Sequence, residues 1–178
     1  MNRKPSFVVS IVILFLAICD PLFAQNVAIG QASASPGETV ALPIMIDGTA
    51  NTCAGLLLRL NYDPEVLEAP TAFKGAILAD AHVLDVYSPI PGRINLFIAG
   101  LLNSEPFTAQ SGIVASLQFT IKADAANDYS DVTLTAIGTP GMPAFSLVDT
   151  SGDYVEQTFT PGRITIKSEL HDAIWEIY

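Results

Sequence analysis

The chain has 178 residues, half of them hydrophobic, with 8 Lys and Arg against 18 Asp and Glu and a net charge of −10. So acidic a balance excludes a nucleic-acid binder, which needs clustered basic side chains to neutralise phosphates, and anionic membrane surfaces would repel it. On an exported domain such a charge serves solubility.

The first element in chain order is a leader. Arg3 and Lys4 precede an apolar run from Phe7 to Ile18, and "LFAQ" places the small residue Ala24 before a cleavage point. The run is shorter than the ~20 residues that span a bilayer. Residues 1–24 therefore read as a cleaved secretory signal, the protein as secreted or extracellular, and no membrane span is expected. A minority reading takes "LAIC", ending at Cys19, as a lipoprotein site that would tether the protein to the cell surface; Ile18, where a small residue is required, argues against it. Removing Arg3, Lys4 and Asp20 leaves 6 basic and 17 acidic residues. The remainder divides into one domain, 25–167, and a tail, 168–178. A chain of this size buries roughly 70% of its unfolded surface and needs no disulfide. Cys53, the one cysteine left, reads as a buried small hydrophobe.

Strand signals then follow one another, separated by turn residues. "VAIGQASA" leads to a Pro36-Gly37 turn and "TVALPIMI". In "AGLLLRLNY", Leu56, Leu58, Leu60 and Tyr62 share one face, while Gly55, Leu57, Arg59 and Asn61 share the other. After "YDP" come "VLEAPTAF", "AILADAHVLDVYS", the turn "PIPG" and "RINLFIAG". "GIVASLQFTIK" sets Ala115, Leu117, Phe119 and Ile121 against Ser116, Gln118, Thr120 and Lys122. "DVTLTAI" and "GRITIK" complete about nine strands. An all-β sandwich of jelly-roll type is expected. In the tail, Ser168 can cap a short helix with Glu169 in its first turn and Leu170, Ile174 and Ile177 along one face. So short a helix needs a docking surface. Covering an open end of the core is its first reading and partner contact its second.

Catalysis needs groups that exchange protons, attack or hold metal. His82 and His171 stand in no metal-ligand spacing, Cys53 has no neighbouring ligand, and neither a G-x-S-x-G elbow nor a phosphate-cradling loop is present. Asp63, Glu65 and Glu68 at the corner read as solvated charges rather than a glycosidase pair. The loop "DAANDYSD" offers Asp124, Asn127, Asp128 and Asp131 as oxygen ligands without the tight D-x-D-x-D-G spacing of a calcium site; a solvated turn is the stronger reading. No enzyme, metal or cofactor is expected. Aromatics fall mostly on core-facing parity, as with Tyr62 and Phe119; Phe97 is the exception, since its neighbours Leu96 and Ile98 take the inward side.

"ASPGETVALPIMI", "AGLLLRLNYDPEVLEA", "GIVASLQFTIKADA" and "TPGRITI", in that order and spacing, resemble the cohesin domain over residues 26–167. Cohesins are the receptor modules of cellulosome-type assemblies. The resemblance implies a nine-stranded jelly roll that binds a dockerin, a small calcium-loaded helical module, with the YDP corner ending a strand of the binding sheet. Calcium would belong to the dockerin. The family carries Asn and Asp on the outward side of that strand, where this chain has Gly55 and Leu57. On "RINLFIAG", parity places Arg93, Asn95 and Phe97 outward. Leu57 and Phe97 would form an apolar centre rimmed by Arg59, Asn61 and Asn95, the anatomy of a protein interface, unless a loop or the tail covers them. The partner-binding set is therefore Gly55, Leu57, Arg59, Asn61, Arg93, Asn95 and Phe97. The expected function is a non-catalytic module that captures a dockerin-bearing protein in polysaccharide degradation. The alternatives are a carbohydrate-binding module and a structural cell-surface sandwich without a dockerin partner.

Overall fold

Period-two alternation sets the strands. The computed structural model describes residues 25–47, 53–100, 111–135, 145–154 and 157–167. The expected leader, the tail helix, Cys19 and His171 lie outside these residues. In chain order the strands are β1 (Gln25–Ile29), β2 (Gln31–Ala34), β3 (Thr39–Asp47), β4 (Cys53–Asn61), β5 (Thr71–Lys74) and β6 (His82–Tyr87). β7 (Arg93–Gly100), β8 (Gly112–Thr120), β9 (Tyr129–Leu134), β10 (Phe145–Asp149), β11 (Gln157–Thr160) and β12 (Gly162–Ile166) follow.

They form two sheets packed face to face. The smaller has the order β11-β1-β3-β8-β5 and the larger the order β2-β12-β9-β4-β7-β6. β10 pairs with β4 over residues 53–58, and β9 meets β4 at Leu60 and Asn61, so the two share the edge of β4 opposite β7. Among the described pairs only β1 with β11 and β2 with β12 run parallel.

Twelve strands stand where about nine are expected, and two of the extra breaks have one cause. "VAIGQASA" leaves the smaller sheet for the larger at Gly30, and the closing segment makes the same crossing at Pro161. The two crossings touch: a Cβ on Gly162 would collide with Ile29 Cγ2 and lie 2.6 Å from the Gly30 carbonyl oxygen. In "VLEAPTAF" only Thr71–Lys74 is a strand, because Val66 and Leu67 spend their backbone crossing between the sheets. The sequence reading assigns nothing to β10 and β11, whose five and four residues are too short for alternation to register.

The core lies between the sheets. Leu42, Ile44 and Ile46 of β3 with Leu117 and Phe119 of β8 belong to the same buried cluster as Leu56, Leu58 and Leu60 of β4 and Ile94, Leu96 and Ile98 of β7. Each such side chain contributes about 1.5–3 kcal/mol relative to exposure. Cys53 is buried, as its context predicts. β8 departs from alternation at one point. A register shift opposite Ile44 and Met45 turns Val114 inward beside Ala115 and leaves Ile113 exposed, paired with Met45.

The contact between crossings gives a direct test. Gly162→Ala should lower stability by about 1–3 kcal/mol, as overpacking does. The change should appear in urea unfolding as a lower midpoint with an unchanged slope. Thr165→Ala, exposed on the same strand, should stay within about 0.5 kcal/mol.

Candidate functional site

β4 ends in the YDP corner, which fixes the strand against both sheets. The Tyr62 ring is buried and meets Phe119 of the smaller sheet edge-on, 5.5 Å between centroids at 63°. Its N–H donates to the Gly92 carbonyl at 2.9 Å, tying the end of β4 to the turn between β6 and β7. Gly92 has φ +81°, open to glycine at no steric cost, and a Cβ there would lie 3.1 Å from Pro64 Cδ and from the Tyr62 carbonyl oxygen.

Asp63 organises the turn itself. One carboxylate oxygen accepts the Glu65 N–H at 2.9 Å, an Asx-turn, and the other accepts from Asn127 Nδ2 at 2.9 Å. Its own N–H donates to Ser130 Oγ at 3.2 Å. Its carbonyl accepts from Val66 and Leu67 N–H at 3.2 and 2.9 Å. The chain then joins the smaller sheet, where the Thr120 carbonyl accepts from Glu68 N–H and the Val66 carbonyl from Lys122 N–H. Asp63 is thus a structural acceptor rather than the solvated charge its position suggests; Glu65 and Glu68 are exposed as expected.

With β4 fixed, register builds its outward face. Gly55, Leu57, Arg59 and Asn61 stand opposite Ala99, Phe97, Asn95 and Arg93 of β7. The seven residues singled out in the sequence therefore fall on one surface in four cross-strand rows. β6 extends three rows, with Val83 beside Ala99, Asp85 beside Phe97 and Tyr87 beside Asn95. β10 extends two on the other side, with Val148 beside Gly55 and Ser146 beside Leu57. Phe97 is 47% exposed and Leu57 half-buried, so no described residue covers the row they form. Arg93 is exposed, and Arg59, Asn61 and Asn95 are half-buried.

Two features depart from the sequence reading. Gly55 is buried: a Cβ there would come within 3.2 Å of Val148 Cγ2, and the surface at that point belongs to Val148. Phe97 is also not alone, since Tyr87, 62% exposed, shares its face. The parity of "HVLDVY" carries the signal for Val83, Asp85 and Tyr87. The order that sets β6 beside β7 is what makes it readable.

The remaining groups serve the fold. The Asp131 carboxylate accepts from Arg163 Nε at 2.6 Å and Nη2 at 3.1 Å, and the guanidinium lies 4.3 Å over the Tyr129 ring. That hydrogen bond, reinforced by the carboxylate charge, holds the Arg163 pKa above its usual value. Of the four residues "DAANDYSD" offers, Asp131 has both carboxylate oxygens on Arg163 and Asn127 is held through its Nδ2 by Asp63, while Asp124 and Asp128 are exposed. No group of three His, Cys, Asp or Glu placed to hold a metal occurs among the described residues. His82 is buried at the start of β6, where its Nδ1 accepts the Ala79 N–H at 2.9 Å. The smaller sheet also shows apolar side chains outward: Met45 and Ile113, directly paired, and Phe73.

Residues 25–166 match the family model described as "Cohesin domain". Over 145 residues, 80% of this chain, the sequence is 26% identical to cellulose-binding protein A of Clostridium cellulovorans, and the match spans 7% of that protein's length. Among solved structures, the sixth cohesin of scaffoldin B from Acetivibrio cellulolyticus, in complex with a mutant Cel5 dockerin, superposes with a TM-score of 0.69 at 20% identity. It covers 81% of this chain and 99% of that one. A non-cellulosomal cohesin from the archaeon Archaeoglobus fulgidus gives 0.63 at 18% identity, with 87% and 99% covered. At these identities the two structures speak to the fold.

If Asp63 anchors the corner, Asp63→Ala should cost about 1.5–3 kcal/mol, the range for hydrogen bonds to a charged group. Asp63→Asn keeps an oxygen for the Glu65 N–H and should cost less. Urea unfolding of the two variants side by side measures the difference.

Proposed function

The chain belongs to the cohesin domain family, non-catalytic protein-interaction modules, and from that premise we propose that it captures a dockerin-bearing protein on the outward face of β4, β7 and β6. The observation that carries this reading is the Leu57–Phe97 row, an exposed apolar centre with Arg59, Asn61, Arg93 and Asn95 along its border. A few well-packed anchors inside a polar rim supply most of the energy in protein interfaces. The solved relative bound to a dockerin supports the class of partner. The apolar stretch at residues 7–18 supports export, and the cellulose-binding name of the Clostridium relative supports a setting in polysaccharide degradation. Calcium, in this reading, is held by the dockerin.

A second reading has its own observation. Phe97 and Tyr87 are exposed aromatics on adjoining strands of one face, and such rings can stack on sugars. In that case the protein binds polysaccharide directly.

Leu57→Asp and Phe97→Asp should each weaken dockerin binding by about 30-fold or more, the loss expected at a hot spot of 2 kcal/mol or above. Met45→Asp, on the opposite sheet, should leave binding unchanged. Biolayer interferometry against a panel of calcium-loaded dockerins, paired with thermal unfolding of each variant, checks this. A chelator should abolish capture without moving the unfolding temperature of the protein itself. Retention on insoluble cellulose or chitin with no dockerin present would favour the second reading.

A further inference from the structure

Residues 168–178, "SELHDAIWEIY", follow the last described strand and carry Leu170, Ile174, Trp175 and Ile177 within eight positions. So many apolar side chains in so short a stretch gain from any apolar surface within reach. Trp175 gains most, being the chain's one tryptophan, because such a ring buries about 150–250 Å².

The point of departure is fixed. The Ile166 N–H donates to the Asp128 carbonyl at 2.7 Å and the Lys167 N–H to the Ala34 carbonyl at 3.0 Å. Two paths of contact lead from there to the YDP corner. Asn127, next to Asp128, donates to Asp63. Beyond Ala34, the Gly37 N–H donates to the Ile121 carbonyl and the Lys122 N–H to the Val66 carbonyl, both at 2.9 Å. With Cα steps of about 3.8 Å and hydrogen-bonded pairs about 5.5 Å apart, Lys167 lies at most about 26 Å from Lys122. The bends in that path make the true distance shorter. Trp175, eight residues beyond Lys167, spans about 26–29 Å when extended, so it reaches.

At this end of the sandwich a groove of about 380 Å³ opens between the corner and the β6–β7 turn. It is lined by the buried Tyr62 and Leu67, the half-buried Pro64, and the exposed Pro89, Ile90 and Pro91. Ile90 is 49% exposed. The two charged lining residues, Glu68 and Lys122, have opposite signs, so apolar fit selects the occupant. Other apolar surfaces suit the tail less. Tyr129, opposite Thr165, is nearer but already carries the Arg163 guanidinium over its ring. On the smaller sheet, Phe73 stands beside Ser116, four residues from Thr120, and Met45 six residues from Thr39. Those offsets place them about 13 and 20 Å along the strands from the tail's end of the molecule.

We infer that residues 168–178 dock back on their own domain, with Trp175 seated in the groove between Pro64 and Ile90. The docked tail closes this end of the core. The Leu57–Phe97 row lies four residues up β4 and β7 from Asn61 and Arg93, about 13 Å away, and stays clear. Dockerin capture therefore stands or falls separately.

A single tryptophan makes fluorescence a direct readout. Emission of the native protein should lie to the blue of the urea-unfolded chain and resist quenching by acrylamide. Ile90→Asp should shift the emission to the red and restore quenching, in a variant shown by circular dichroism to unfold cooperatively. Phe73→Asp and Phe97→Asp should leave it in place. Trp175→Ala, a change outside the described strands, should shift the Ile90 methyl NMR signals through loss of the ring current and leave those of Ile113 unmoved. Native emission matching the unfolded chain, or Ile90 signals indifferent to Trp175→Ala, would overturn the inference. A blue emission that responds to Phe73→Asp or Phe97→Asp instead would put the tail on another face and overturn it too. Reddening on dilution would place the tail in the groove of a second copy and overturn docking within one chain.

Discussion

The Tyr62–Asp63 corner is the constraint on which the rest of the structure depends. A strand has two faces, and a slip of one residue exchanges them entirely. β4 is held against such a slip from both sides of the sandwich. Tyr62 packs on Phe119 of the smaller sheet and bonds to Gly92 of the β6–β7 turn, while Asp63 holds Glu65 and Asn127 through its carboxylate and Ser130 through its backbone N–H. A one-residue shift would strip Asp63 of these partners and bury Leu57, Arg59 and Asn61 in place of Leu56, Leu58 and Leu60. The cost of both losses makes the outward face a fixed object rather than one of two alternatives.

What that face presents follows from its neighbours. β7 delivers Phe97 to the side of Leu57, β6 adds Tyr87 and Asp85, and β10 lays Val148 over Gly55. Gly55 works through its missing side chain: with Val148 Cγ2 so close, a larger residue there would push β10 away from the surface it completes. The result is a shallow apolar strip with Asp85 beside Phe97 and with Arg59 and Arg93 toward the Asn61 end. In protein interfaces of this anatomy, affinity comes mainly from the desolvated apolar anchors.

Much of this was legible in the sequence, and the gaps have physical causes. The strands β4, β7 and β8 alternate strongly because one side is fully buried, so their faces could be assigned from parity, and the cohesin resemblance rested on β4 and β8 together with the segments of β3 and β12. Parity does not reveal which strands are neighbours. Tyr87, Asp85 and Val148 became site residues only through register, and the five-residue β10 that carries Val148 is too short to show a period. Ile113 faces outward because of an irregularity in β8 that strict alternation would deny. Gly55 was placed on the correct side, but its burial depends on a strand more than 85 residues away in the chain, near the practical limit of what local pattern conveys. Asp63 looked like a surface charge because its partners Asn127 and Ser130 lie 64 and 67 residues further along the chain.

The central claim is that binding uses the outward face of the larger sheet rather than the apolar residues on the other. Methyl-resolved NMR of the protein titrated with a calcium-loaded dockerin that binds it distinguishes the two directly. The account requires that the methyl signals of Leu57, Val83 and Val148 shift or broaden while those of Met45 and Ile113 stay in place. Perturbation of Met45 and Ile113, with Leu57 and Val148 unmoved, would contradict it.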